Sequence, residues 1–102
     1  MTRKVSKFKT DTFNKCVSIV CDRFNIEPET FFSKTKEQET VDARHLVYLA
    51  CYYKGFAHTT TTILMVNNGY VTGRSTIYAG ITSMEKKVEI DKQYKRILRK
   101  LC

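Results

Sequence analysis

The sequence lacks any long apolar run, and this absence excludes several classes of protein. No run approaches the roughly 20 residues that span a bilayer, and the basic first residues are not followed by an apolar signal segment. We therefore expect a cytoplasmic protein with no membrane partner. Internal repeats are absent, as is the Gly-x-x-x-x-Gly-Lys-Ser/Thr motif that binds ATP phosphates. An ATPase module that uses this motif is therefore not expected.

The four cysteines form no CxxC pair, so neither a disulfide framework nor a zinc motif is indicated. Cys16, Cys21 and Cys51 lie in apolar surroundings and are predicted to be reduced core residues, with Cys102 an exposed thiol. Cys51 with His45 or His58 is the only formal combination of nucleophile and base. Nothing else in the sequence predicts a substrate pocket. We expect no enzyme, no metal site and no cofactor.

Positive charge is abundant, and it is concentrated at the two ends. The 102 residues contain 18 Lys and Arg against 10 Asp and Glu, a net charge of +8. Residues 1–10 sum to +4 without an acid, residues 85–102 sum to +4, and residues 11–84 sum to zero. The natural partners of such a chain are polyanions, and DNA or RNA is favoured over an anionic membrane surface. These cations either contact phosphates or form solvated helix faces.

Apolar side chains recur at three-to-four spacing, which predicts helices. We predict a flexible basic arm over residues 1–9 and a single helical domain over residues 10–102. Thr10 or Asp11 is expected to cap a first helix, after which Pro28 opens a short helical turn. Residues 33–40 contain no apolar side chain and are expected to form an exposed loop.

The sequence from Thr40 onward predicts four more helices. The first begins at Thr40 or Asp42 and is closed by Gly55. The run ILMV after four threonines is compatible with a buried strand. We favour a short helix capped by a threonine, because a Gly-containing turn and further helices, over about 74–88 and 91–101, follow it. The predicted fold is all-α.

Residues 59–88 fit a helix-turn-helix, in which a turn of about three to four residues joins a short helix to one that enters the major groove. A buried stripe on the second helix is formed by Ile77, Ile81, Met84 and Val88. The opposite face is small, hydroxylated or basic and consists of Ser75, Ala79, Thr82 and Lys86. Such a face either approaches base edges or packs against another helix with Lys86 solvated.

Five short motifs follow one another along residues 20–101, and their order and spacing are informative together. They are Phe24-x-Ile26, Phe32-Ser33-Lys34, Ala43-Arg44-His45, Ser75-Thr76-Ile77-Tyr78 and Met84-Glu85. This series resembles the C-terminal DNA-binding domain of the bacterial replication initiator DnaA, a helix-turn-helix domain related in fold to the Trp repressor. The resemblance implies that Ser75 and Thr76 keep hydroxyls used in base readout and that Arg44 keeps the family's arginine on the helix that follows its basic loop.

The chain departs from this family at two places. The Asp-His pair that reads bases in the family is replaced by Gly73 and Arg74, and the basic loop is reduced to Lys34 and Lys36 among polar and acidic residues. The resemblance therefore implies the same docking geometry with a different target sequence.

We predict a protein that binds double-stranded DNA and regulates or assists replication or transcription, with its small size suggesting a phage or mobile element. The predicted DNA-contacting residues are Lys34, Lys36, Arg44, Arg74, Ser75, Thr76, Tyr78, Thr82 and Lys86. One alternative is a protein-interaction or structural module that kept the fold without base readout. Another is binding of single-stranded RNA through exposed aromatic residues. The sequence does not predict an oligomeric state.

Overall fold

The computed structural model describes residues 4–102, and within this range every regular element is an α-helix. In chain order the helices are α1 (Lys7–Phe24), α2 (Pro28–Phe31), α3 (Gln38–Tyr53), α4 (His58–Asn67), α5 (Arg74–Ile90) and α6 (Lys92–Leu101). The predicted all-α class is therefore confirmed. None of these helices is both long and apolar enough to cross a membrane.

Helix α1 begins earlier than the sequence predicted. The Ser6 side chain accepts a hydrogen bond from the Lys9 backbone N–H at 3.2 Å, which caps the helix ahead of Thr10. Residues 7–9 of the predicted arm are consequently helical, and Val5 packs against the core. The first three residues of that arm lie outside the described residues.

Helix α3 occupies the centre of the molecule, with α1 packed on one side and α5 on the other. It begins at Gln38, within the segment predicted to be loop. Thr40 and Asp42 were expected to cap this helix, but they are only 0% and 4% exposed. That prediction is wrong because α3 begins after Glu37, which forms no side-chain cap, so both residues lie inside the helix.

Asp42 joins three helices through its carboxylate. It accepts hydrogen bonds from Lys87 Nζ at 2.7 Å, Tyr94 Oη at 2.6 Å and Gln38 Nε2 at 2.9 Å. Burial raises the pKa of the Asp42 carboxyl, but the three donors outweigh burial and the net pKa is lowered. Asp42 is therefore held as an anion at the junction of α3, α5 and α6.

The ILMV segment is helical, as favoured over a strand. Helix α4 starts after Ala57 without a side-chain cap, so the predicted threonine cap is wrong. Residues 68–73 connect α4 to α5, a longer connection than the turn expected from the sequence. Gly69 has φ +89° in this connection, a left-handed conformation that glycine adopts without steric cost.

Helix α5 buries the stripe predicted from its spacing. The side chains in this stripe are Ile77, Ile81, Met84 and Val88. Gly80 also faces inward, where a Cβ atom would lie 2.7 Å from His45 Cδ2 and 3.0 Å from Tyr48 Cδ2. The missing side chain thus lets α5 approach α3 closely.

The cysteines occupy the predicted environments. Cys16, Cys21 and Cys51 are buried, whereas Cys102 is exposed. The Cys16 thiol lies 3.9 Å from the Leu101 carbonyl oxygen and donates a weak hydrogen bond to it, so the first and last helices are in contact.

Candidate nucleic-acid interface

The outward face of α5 is open to solvent. Ser75, Ala79, Ser83 and Lys86 are exposed, and Thr82 is half-buried with its hydroxyl donating to the Tyr78 carbonyl at 3.1 Å. A shallow cleft of about 560 Å³ follows this face and has no carboxylate in its lining. The predicted outward orientation is confirmed, and no helix within residues 4–102 covers the face.

A second open cleft, of about 500 Å³, lies where α4 and α5 begin. Its lining consists of His58, Thr59, Arg74, Ser75 and Tyr78. The residues preceding the two helices, Ala57 and Gly73, form no side-chain cap, and neither helix has an acidic residue in its first turn. Both helices therefore direct backbone N–H groups and the positive end of the helix dipole toward this region. Such an arrangement favours anions over cations.

Thr76 is exposed in the first turn of α5, and Tyr78 belongs to both clefts. The two clefts thus form a continuous surface, which we name the α5 surface and define by Arg74, Ser75, Tyr78, Thr82 and Lys86. Helical spacing predicted that Ser75, Thr82 and Lys86 share one face of the helix. Arg74 and Tyr78 line the same clefts as these residues.

The loop before α3 carries two exposed cations, one of which contacts the connection that leads into α5. Lys34 Nζ lies 3.8 Å from the centre of the Tyr70 ring and donates a hydrogen bond to the Val71 carbonyl. This interaction joins the loop to the connection between α4 and α5. Lys36 is exposed on the same loop.

Arg44 does not belong to the exposed surface. It is only 4% exposed, and its guanidinium donates to the carbonyl oxygens of Phe31 at 2.8 Å, Ser33 at 2.7 Å and Thr35 at 2.9 Å. Its Cζ also lies 4.9 Å from the centre of the Tyr70 ring. The predicted contact between Arg44 and DNA does not fit this geometry. Arg44 instead fixes the loop that carries the two lysines.

Three aromatic rings near the cleft were not selected from the sequence as a group. Tyr52 on α3 lies 5.6 Å from His58 on α4, and His58 lies 5.8 Å from Tyr78 on α5, measured between ring centroids. Tyr52 and Tyr78 are 46% and 61% exposed. We call these three residues the aromatic row. Because each member comes from a different helix, no local sequence pattern indicates the row.

Two cations of α6 lie close to carboxylates of α5. Lys95 and Arg99 share a groove with Glu85 and Glu89, which partly balances their charge. The α5 surface, in contrast, has cations at both ends and no carboxylate among its lining residues.

The described residues contain no group of three or more His, Cys, Asp or Glu side chains placed to hold a metal ion. No protein-family model and no solved structure matches the chain.

Proposed function

We propose that this protein binds double-stranded DNA, with α5 entering the major groove as the second helix of a helix-turn-helix. The observation that carries the proposal is the exposed, carboxylate-free α5 surface with Arg74 at one end and Lys86 at the other. The major groove of B-DNA is about 12 Å wide and admits an α-helix.

The side chains along the α5 surface suit different parts of the duplex. Ser75 and Thr76 lie at the start of the helix, where helix-turn-helix proteins contact base edges, and their hydroxyls both donate and accept. Arg74 contacts a phosphate or makes a bidentate contact with guanine. Lys86 contacts a phosphate toward the other end of the helix.

The loop lysines contact the flanking backbone. Lys34 and Lys36 are exposed beside the connection that leads into α5. Arg44 acts through them, because its hydrogen bonds to the carbonyls of Ser33 and Thr35 in the loop and of Phe31 at the end of α2 set the position of the loop. Arg44 is therefore a positioning residue rather than a contact residue.

Salt dependence of binding provides the main test. Removing a cation that neutralises one phosphate lowers the slope of log affinity against log salt by about 1. We expect Arg74→Ala and Lys86→Ala each to weaken binding to a random-sequence duplex and to reduce this slope, measured by fluorescence anisotropy over a salt series.

The matched control is Lys15→Ala, which removes the same charge from an exposed position on α1. Helix α1 packs against α3 and α6, and Lys15 lines neither of the two clefts that form the α5 surface. Affinity and slope are expected to stay unchanged in this variant. Absence of duplex binding at low salt, or equal losses in all three variants, would contradict the proposal.

A role as regulator or accessory factor of replication or transcription requires selective binding to particular sequences. Selection of duplexes from a random library measures this selectivity directly. An enriched motif that Ser75→Ala or Thr76→Ala relaxes is the expected result, and uniform recovery of all sequences would contradict a role that depends on base readout.

A further inference from the structure

The aromatic row is a second feature of this surface that double-helix binding alone does not use. It crosses three helices, and the tyrosines at its two ends are 46% and 61% exposed. Neighbouring rings are tilted by 40° and 56° to each other rather than stacked in parallel. Clustered aromatic rings at a protein surface are typical of binding sites.

The charge around the row indicates what kind of ligand it suits. Its Tyr78 end opens into the cleft that holds Arg74, and no carboxylate lines that cleft. On the other side, Tyr53 neighbours Tyr52 but shares a groove with Glu85 and Glu89. The cationic cleft beside the rings suits a ligand that combines a flat aromatic group with a negative charge. A nucleotide has both.

A base within a paired duplex does not meet this requirement, because its faces are covered by the neighbouring base pairs. An unpaired base exposes its face, and stacking on an aromatic side chain is worth enough to change affinity several-fold or more. The ligand of the row is therefore an unpaired nucleotide rather than a base pair.

We propose that Tyr52, His58 and Tyr78 stack an unpaired base of DNA whose phosphate lies beside Arg74. This inference rests on the proposed function and names its ligand more closely. Since Tyr78 belongs to both the row and the α5 surface, the preferred DNA is a duplex that continues into a single strand.

The test compares three DNA probes with the full chain. They are a blunt duplex, the same duplex with a short single-stranded overhang containing 2-aminopurine, and the overhang strand alone. The overhang is expected to tighten binding at least about fivefold over the blunt duplex. The 2-aminopurine fluorescence is expected to fall on binding, because stacking quenches it.

Leucine and phenylalanine variants separate ring stacking from other effects. Tyr52→Leu and Tyr78→Leu are expected to lose the gain from the overhang, whereas Tyr52→Phe and Tyr78→Phe retain it. Tyr53→Leu is the matched control, since this similarly exposed neighbour lies on the acidic side, and it is expected to keep the gain. Thermal unfolding verifies that each variant is folded.

The outcomes distinguish this inference from the function on which it rests. Equal affinity for blunt and overhang probes, or unchanged 2-aminopurine fluorescence, overturns base stacking and leaves duplex binding standing. Absence of binding to every probe overturns both. Binding to the single strand with no contribution from the duplex supports the row and overturns the helix-turn-helix proposal.

Discussion

His45 lies between α3 and α5, beneath the position of Gly80. Its Nδ1 atom is buried, and no hydrogen-bond partner for it occurs among the described residues. Burial lowers the pKa of His45, and the charges of Lys87 and Arg44 lower it further while that of Asp42 opposes them. The folded protein therefore favours the neutral imidazole.

We expect the free energy of unfolding to decrease as the pH falls below 6.5, the ordinary pKa of histidine. The folded-state pKa of His45 is lower than the unfolded-state value, so the unfolded chain binds the proton first. The stabilisation that is present at higher pH therefore decreases as the pH falls from 6.5 toward the folded-state pKa. Urea midpoints measured at about pH 7.5 and about pH 5.5, on either side of this ordinary value, test the direction of the change.

His45→Gln removes the titrating ring and should reduce the difference between the two midpoints. The lowered pKa of Asp42 places the acid-induced loss from that residue at a lower pH, below its ordinary value of 3.8. A midpoint that stays constant or rises on acidification of the unsubstituted protein would contradict the assigned direction for His45.

Sequence spacing predicted the environments of individual residues when the relevant contacts were on one helix. The buried stripe of α5 and its opposite face follow from helical periodicity alone. Arg44, Tyr52 and His58 could not be placed in this way, because their partners are on other segments. An arginine whose hydrogen bonds all go to loop carbonyls has the same sequence signature as one that contacts DNA.

At the scale of elements, the sequence predicted which segments are helical more accurately than it predicted where the helices begin and end. The segment around Leu64 and Met65 is helical because one face of α4 packs against α5, although the helix has no side-chain cap. Likewise α3 begins at Gln38, ahead of Thr40 and Asp42, because both residues are buried within the helix and the Asp42 carboxylate accepts hydrogen bonds from other helices. Tertiary packing decided both boundaries.

Asp42 is the residue through which α3, α5 and α6 share one polar contact. Asp42→Asn keeps the side-chain volume but replaces a carboxylate that accepts three hydrogen bonds with an amide that presents a donor to Lys87 or Tyr94. We expect a loss of about 1–3 kcal/mol in the free energy of unfolding, measured by urea denaturation.

Gln38→Ala is the corresponding control. It removes one neutral donor from the same carboxylate at an exposed position and should cost less than about 1 kcal/mol. If Asp42→Asn cost no more than Gln38→Ala, the carboxylate would not hold the three helices together.

At the scale of the whole molecule, the reactivity of the four cysteine thiols depends on how well the helices pack. Burial raises the pKa of Cys51 to about 12 and that of Cys21 to about 11, and it also raises the pKa of Cys16. The thiolate is the reactive form of cysteine. These thiols are therefore protected from modification both by burial, which restricts access, and by the raised pKa, which keeps them protonated. Cys102 is exposed and is the accessible thiol of the described chain.

Thiol titration with an aromatic disulfide reagent is expected to show a single prompt reaction in the native protein and reaction of all four cysteines in denaturant. Cys102→Ser should remove the prompt reaction. Prompt modification of two or more thiols in the native protein would mean that the packing of α1 and α6 around Cys16 opens readily.

The close approach of α3 and α5 at Gly80 has a consequence for the two tyrosine rings that lie within about one turn of it. Tyr52 follows Tyr48 along α3, and Tyr78 precedes Gly80 on α5, so the separation of the two backbones also sets how far apart their rings stand on either side of His58. One methyl group added at this hidden position would push the backbones apart and widen the spacing of the rings. We therefore expect Gly80→Ala to change affinity at the proposed base-stacking site, although this substitution leaves every solvent-facing side chain as it was.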